Sequence, residues 1–241
     1  MAEIEGTTTL VGLIGDPVSG SLSPRMQNAA FAARGLDWAY VPLPVDHAGL
    51  DVAVAGLVAL GFAGANVTTP HKSSVIPFCH ELDESAERAA SVNTLVIRDG
   101  RVRGWSTDAE ALDEVDPRSA AVVGAGGAAG AWIAALDARG IPVDVFARRE
   151  TWPPETAGAE LVVHATPVRD ELLFQPRPGQ TLIELTYFPD GRDTAHVAAA
   201  RAQGCQVIDG LEVLARQGAA SFERWTGIAA PLEIMRAAIR P

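Results

Sequence analysis

The sequence predicts an α/β fold in two units. Short apolar runs with strand character alternate with helix-like segments along most of the 241 residues, the order that gives parallel strands joined by crossovers. A glycine-rich stretch at residues 124–130 follows one such run and opens a helix, which marks the start of the second unit. The composition, 48% hydrophobic and 20% charged, is that of a chain long and apolar enough to bury a core.

Residues 10–14 read as a buried strand that ends at Gly15-Asp16-Pro17. A helix over 23–34 follows, with Ser23 as N-cap and Pro24 at its first position. Residues 39–43 form a second strand, 50–60 a helix stopped at Gly61, and 65–67 a short strand broken by Thr68-Thr69-Pro70. Residues 85–90 are helical, and 94–98 with 102–105 form a hairpin around Asp99-Gly100. The second unit has strands at 120–123, 143–146, 161–164, 182–185 and 206–208, with helices after 124–130 and over 194–203. Helices over 211–220 and 231–239 close the chain.

Nineteen Lys and Arg against thirty Asp and Glu give a formal charge of -11. An acidic surface without a basic cluster repels phosphate backbones and excludes nucleic acid as a partner. Cys79 and Cys205 are far apart, each beside apolar residues, and read as small buried hydrophobes. The five histidines, His47, His71, His80, His164 and His196, make no H-E-x-x-H pair, so no metal is expected. The start is acidic and polar, unlike a signal peptide, and the uncharged run over 119–136 contains four glycines, unlike a membrane span. A cytoplasmic protein is expected.

In Val-Val-Gly-Ala-Gly-Gly-Ala-Ala-Gly, the residues Gly124, Gly126 and Ala129 fit the G-x-G-x-x-G/A dinucleotide fingerprint. The first glycine permits the tight turn and the second admits the pyrophosphate to backbone N–H groups at the helix N-terminus. The next strand ends in Ala147-Arg148-Arg149 where an NAD site usually carries an acid. Two guanidiniums suit a 2′-phosphate, so NADP is expected. Glu150 follows directly and leaves NAD as the alternative.

Further motifs follow in order: Ser21-Leu22-Ser23-Pro24, Asn66-Val67-Thr68-Thr69-Pro70-His71-Lys72, Val92-Asn93-Thr94 and Ser106-Thr107-Asp108. After the glycine turn come Gly210-Leu211 and Gln217-Gly218-Ala219, then Phe222 and Trp225-Thr226-Gly227. This set, over nearly the whole chain, resembles the shikimate dehydrogenase family. The resemblance implies NADP-linked, metal-free reduction of 3-dehydroshikimate to shikimate. It implies that Lys72 is catalytic with Asp108 as its partner carboxylate, and that Ser21 and Ser23 bind the substrate carboxylate. It further assigns Thr68, Asn93, Tyr187 and Gln217 to the ring, and Gly124, Ala125, Gly126, Gly127, Ala128, Arg148, Thr166 and Gly210 to the cofactor, where Arg149 joins them as the second guanidinium after the strand.

The chemistry asks for such groups independently. Hydride transfer to a ketone makes an alkoxide that must take a proton, and a lysine held by a carboxylate can give it. A polyhydroxylated ring needs many polar partners when buried.

The chain departs from the family pattern at Ser106, where an asparagine is usual, at Ala111, where a glycine is usual, and at Ala147 and Arg149 of the N-R-T motif. It departs again at His164 and Arg169 of the N-A-T-[SP]-x-G motif, and Thr194 comes two residues late after Tyr187-Phe188-Pro189. These changes bear on the ring substituent more than on the reaction class. Quinate or an amino analogue of shikimate is the alternative substrate, and a nucleotide- or ring-acid-binding sensor the alternative class.

The expected architecture is a substrate-binding α/β domain over 1–104 with 211–241, and a Rossmann-like NAD(P)-binding domain over 105–210. The second crossover of the latter is short: residues 150–160 contain Pro153-Pro154, which disfavour a helix and predict a loop, with Trp152 folded onto the uncovered sheet face. A small ring acid is the expected partner, with the protein a monomer or homodimer.

Overall fold

A computed structural model describes residues 4–240. The chain divides into two compact units, one of residues up to 107 with 215–239, the other of residues 108–214.

The first unit begins with β1 (Thr9–Gly15), α1 (Ser23–Ala33), β2 (Trp38–Pro44), α2 (Leu50–Ala59) and β3 (Gly64–Val67). It continues with β4 (Glu81–Leu82), α3 (Glu84–Ala89), β5 (Thr94–Arg98) and β6 (Arg101–Trp105). These strands form one mixed sheet in the order β2-β1-β3-β5-β6-β4. β1 pairs in parallel with β2 and β3, whereas β5 runs antiparallel to both β3 and β6. The β5–β6 turn is the expected hairpin, and Asp99 and Gly100 both have positive φ (52° and 73°), as a two-residue turn of matching twist requires. Leu50, Val54 and Leu57 of α2 cover Ile14, Val67 and Leu95.

Ser23 does not cap α1. Leu22 occupies the N-cap, and no side chain bonds the first turn as a cap. Ser21 Oγ instead accepts the Ser23 N–H at 3.2 Å, so the serine two residues upstream shapes the entry to the helix.

The second unit contains β7 (Ala120–Val123), α4 (Gly127–Ala138), β8 (Val143–Phe146), β9 (Leu161–His164), β10 (Thr181–Glu184), α5 (Ala195–Ala202) and β11 (Gln206–Ile208). All five strands are parallel, in the order β11-β10-β9-β7-β8. Trp132 and Leu136 of α4 pack on Val122, Leu161, Val163 and Ile183. The other face, with Val123, Val162 and Leu182, is covered by Phe174 and by Val197 and Ala200 of α5.

Among the described residues no helix links β8 to β9. The chain makes a compact turn, with the Ala147 N–H on Thr151 Oγ1 (3.1 Å), and then runs irregularly to residue 160. Trp152 does not replace the helix: it stays 37% exposed, with the Arg148 guanidinium 5.6 Å over its ring, and Val145 of the edge strand is also 37% exposed. Arg148 is itself exposed, so the guanidinium lies over one face of the indole and stays hydrated, and the ring is not carried onto the sheet.

Two helices close the chain, α6 (Gly210–Thr226) and α7 (Leu232–Ile239). From residue 215 on they complete the first unit. Trp225 Nε1 donates to the Leu95 carbonyl at 2.8 Å, Gln27 Nε2 donates to the Gly218 carbonyl at 2.8 Å, and the Phe31 and Phe222 rings stack at 5.4 Å. A Cβ on Gly64 would meet the Leu95 carbonyl at 2.1 Å and the Trp225 indole nitrogen at 2.5 Å, so only glycine allows this approach. Among the described residues no helix is long and apolar enough to cross a membrane.

Candidate active-site residues

The glycine turn occupies the switch point of the parallel sheet. β7 has β8 on one side and β9 on the other, so the chain leaves in opposite directions and a crevice opens at the strands' carboxyl ends. Gly124 has φ 132°, and a Cβ there would lie 2.6 Å from the Ala165 carbonyl oxygen. Its own N–H donates to the Phe146 carbonyl at 2.9 Å. Gly126 is the N-cap of α4, no side chain caps that helix, and residues 125–127 are exposed. The open N–H groups and positive dipole end suit an anionic ligand. Ala129, the third fingerprint position, is fully buried, where a larger residue would part helix from sheet. Ala128 follows in the first turn; Arg148 and Arg149 are exposed in the turn after β8.

In the first unit a buried polar cluster links five segments. Tyr40 Oη donates to Asn66 Oδ1 (2.9 Å), and Asn66 Nδ2 donates to the Asn93 carbonyl (3.0 Å) and to Ser221 Oγ (2.9 Å). Asn93 Oδ1 accepts from the Thr107 N–H (2.9 Å) and the Thr94 hydroxyl (3.0 Å), while its Nδ2 reaches Thr107 Oγ1 (3.0 Å) and Gln217 Oε1 (3.4 Å). Such a network fixes the amide orientation of Asn93 and Gln217, two of the expected ring contacts. Lys72 is half-buried, and its carbonyl accepts the Val92 N–H at 2.8 Å, which ties it to the Asn93 segment. His71 beside it is buried, with Nε2 2.6 Å from the Val45 carbonyl. Thr68 is half-buried, with its N–H on the Ile14 carbonyl at 2.8 Å. Ser21 is half-buried and Ser23 buried at the start of α1. Asp108 is buried and opens the second unit.

Tyr187 and Gly210 come together. Both line a shallow depression with Thr186, Thr194 and Asp209. A Cβ on Gly210 would meet the Thr186 carbonyl oxygen at 2.1 Å, so this approach also needs glycine.

One cluster escaped the sequence reading. His164, Glu184 and His196, all fully buried, converge at the ends of β9 and β10 and in α5. His164 Nδ1 is 2.9 Å from both Glu184 oxygens, and Nε2 is 2.6 Å from Thr166 Oγ1. The carboxylate also accepts from the Thr186 N–H (3.0 Å) and hydroxyl (2.9 Å) and the Thr194 hydroxyl (3.0 Å). His196 Nε2 accepts the Leu173 N–H at 2.9 Å, so a neutral ring carries its proton on Nδ1, 4.0 Å from Glu184. That nitrogen is the one a metal would need as a ligand, so the donor set fits hydrogen bonding better than coordination. Burial holds the His196 pKa down at about 4, with His164 adding to the shift and Glu184 opposing it. The thiols of Cys79 and Cys205 are free and half-buried rather than buried, and burial raises the Cys79 pKa to about 11.

A parallel sheet with a glycine turn at its switch point, in a chain whose other unit carries a buried hydroxyl–amide cluster, defines a two-unit α/β protein of the dinucleotide-binding class. The chain belongs to the shikimate dehydrogenase family. The family's substrate binding domain pattern matches residues 13–95, and that of the shikimate 5'-dehydrogenase C-terminal domain matches 210–240. A shikimate dehydrogenase (NADP(+)) of Moorella thermoacetica is 38% identical over 283 residues, covering 100% of this chain and 95% of the relative. That alignment is longer than the chain, so the relative carries residues this chain lacks. A crystal structure of shikimate dehydrogenase in complex with NADP+ superposes with a TM-score of 0.87 at 28% identity, covering 99% of this chain and 96% of the other. The Thermus thermophilus enzyme in complex with NADP(H) and shikimate gives 0.84 at 29% identity, covering 96% and 98%.

Proposed function

We infer that the protein catalyses the reversible, NADP-linked reduction of 3-dehydroshikimate to shikimate. The observation that carries this is full-length similarity to shikimate dehydrogenases that use NADP. The glycine turn, the uncapped α4 N-terminus and the exposed Arg148 and Arg149 fit a dinucleotide with a 2′-phosphate. NADPH, when bound, supplies the hydride. This chain's residues handle the proton and the ring. Lys72 gives a proton to the ketone oxygen in reduction and takes it back in oxidation, with Asp108 as the carboxylate of the acid–base pair. Ser21 and Ser23 take the ring carboxylate, and Thr68, Asn93, Tyr187 and Gln217 take the ring and its hydroxyls. Gly124, Ala125, Gly126, Gly127 and Ala128 take the pyrophosphate, with Thr166 and Gly210 beside the cofactor. In this reading the first unit binds substrate and the second the nucleotide, in a cytoplasmic monomer or homodimer.

The test is a spectrophotometric assay of NADP+ and NAD+ reduction with shikimate and with quinate. Turnover of shikimate with NADP+ as the better acceptor is expected. Turnover of quinate alone would move the substrate assignment, and turnover of neither would overturn the reading.

A further inference from the structure

We propose that His164 is a positioning residue for the nucleotide: held by Glu184 on one side, its ring fixes the Thr166 hydroxyl on the other, and Thr166 presents that hydroxyl to the dinucleotide at the sheet's switch point. The inference rests on the nucleotide reading above and adds a part to it.

Register brings the group together, since parallel pairing sets His164 directly beside Glu184. Glu184 is an acceptor at each of its contacts with Thr186 and Thr194, so the imidazole proton facing it belongs to His164 Nδ1. The ring therefore cannot turn without breaking that bond, and Nε2 is aimed at Thr166 Oγ1, 2.6 Å away. Thr166 Oγ1 is further held by the Val168 N–H at 3.3 Å. A hydroxyl tied from two sides has few orientations left to lose when a ligand arrives, which is where preorganisation gains affinity. The place is right for a nucleotide contact. Thr166 follows Ala165, whose carbonyl lies against Gly124, so the hydroxyl belongs to the loop that meets the glycine turn. Thr166 itself is half-exposed, whereas His164 and Glu184 are sealed from solvent. The ring can therefore reach a ligand only through the threonine.

The experiment is a double-mutant cycle on the NADP+ dissociation constant, using full-length protein with His164→Asn, Thr166→Val and both together. Loss of one oriented hydrogen bond predicts a weakening of about tenfold for each single variant. The double variant should bind no more weakly than the worse single one, because each removes the same contact. The KM for shikimate should change less than twofold, since the first unit is untouched. The cycle separates positioning from general loosening of the second unit, because loosening would add to the threonine's loss rather than coincide with it. Effects that multiply to about a hundredfold would show that His164 acts independently of Thr166 and would overturn the proposal. Should His164→Asn fail to fold, the threonine decides alone: Thr166→Ser must bind NADP+ within about twofold of the parent while Thr166→Val does not. Equal binding by the valine variant would leave His164 nothing to position. If the unsubstituted protein failed to bind NADP+, the nucleotide reading would fall and this proposal with it, whereas binding with a multiplicative cycle sinks this proposal alone.

Discussion

Replacing Gly124 by alanine tests the geometry of the glycine turn most directly. The position carries two separate obstacles. Its φ of 132° is one that side chains rarely adopt, and the new Cβ would lie 2.6 Å from the Ala165 carbonyl oxygen. Holding a non-glycine residue in a sparsely populated region costs on the order of 1–3 kcal/mol. Forcing a methyl group into a packed contact costs about 1–3 kcal/mol more, and here the obstruction is backbone, which cannot swing aside as a side chain does. Partial relaxation can relieve both at once, so a combined loss of about 3 kcal/mol is expected. At about 2–4 °C per kcal/mol for a chain of this size, the melting temperature should fall by roughly 6–12 °C. Thermal denaturation followed by circular dichroism measures it, with NADP+ titration on the same sample. Because relaxation must move either the turn or residue 165, NADP+ affinity should fall as well. A variant that melts within about 2 °C of the parent and binds NADP+ equally would refute the claim that close backbone approach dictates this glycine.

Three further outcomes are expected. Lys72→Ala should lower kcat by about 10²–10⁴-fold with a smaller change in shikimate KM; near-normal turnover would remove Lys72 from the chemistry. Replacing Arg148 and Arg149 together should weaken NADP+ by about 30- to 1,000-fold, leave NAD+ nearly unchanged, and flatten the salt dependence of NADP+ binding. Equal losses for both nucleotides would show that these arginines do not read the 2′-phosphate. His196 has its pKa held at about 4 in the folded protein, below the 6.5 of a free histidine, so between these values the unfolded chain binds the extra proton. The stability this contributes is complete above about pH 6.5 and is lost as pH falls toward 4, with a slope of up to about 1.4 kcal/mol per pH unit. Melting temperatures from pH 7 to 4 should fall less steeply in His196→Asn, and an identical profile would count against the assignment.

Local chemistry was legible wherever a residue type has one strong meaning. Asp99-Gly100 announced the hairpin because few residues tolerate positive φ twice in succession. The glycine turn announced its strand and helix for a similar reason. The helix expected over 211–220 runs on to Thr226. A Cβ at Gly218 would lie 2.2 Å from the Met26 side chain, so close packing accounts for a glycine inside this helix despite its low propensity. The true end is Gly227, with φ 70°, where a helix takes its left-handed cap. The motifs were readable as a set that pointed to the family, since their order along the chain is specific. The His164–Glu184–His196 group was not, because separations of twenty and twelve residues match no ligand spacing. The faint signal was a titratable residue ending each of two short strands with apolar centres, Leu161–His164 and Thr181–Glu184.

The first unit is discontinuous, and this bears on the order in which the chain can fold during synthesis. Asn66 and Thr94 emerge early, yet Ser221, 2.9 Å from one and 2.7 Å from the other, emerges only after the whole second unit has been made. The same wait applies to the Leu95 carbonyl and its indole partner, Trp225. At about 5–20 residues per second the interval is on the order of 6–25 seconds. Through it, groups destined for burial must stay hydrated, and the sheet around β3 and β5 cannot close over them. The second unit, contiguous in sequence, is under no such delay. The later-made half of this protein is therefore placed to finish folding first, and the nascent first half is the part exposed to chaperones and proteases.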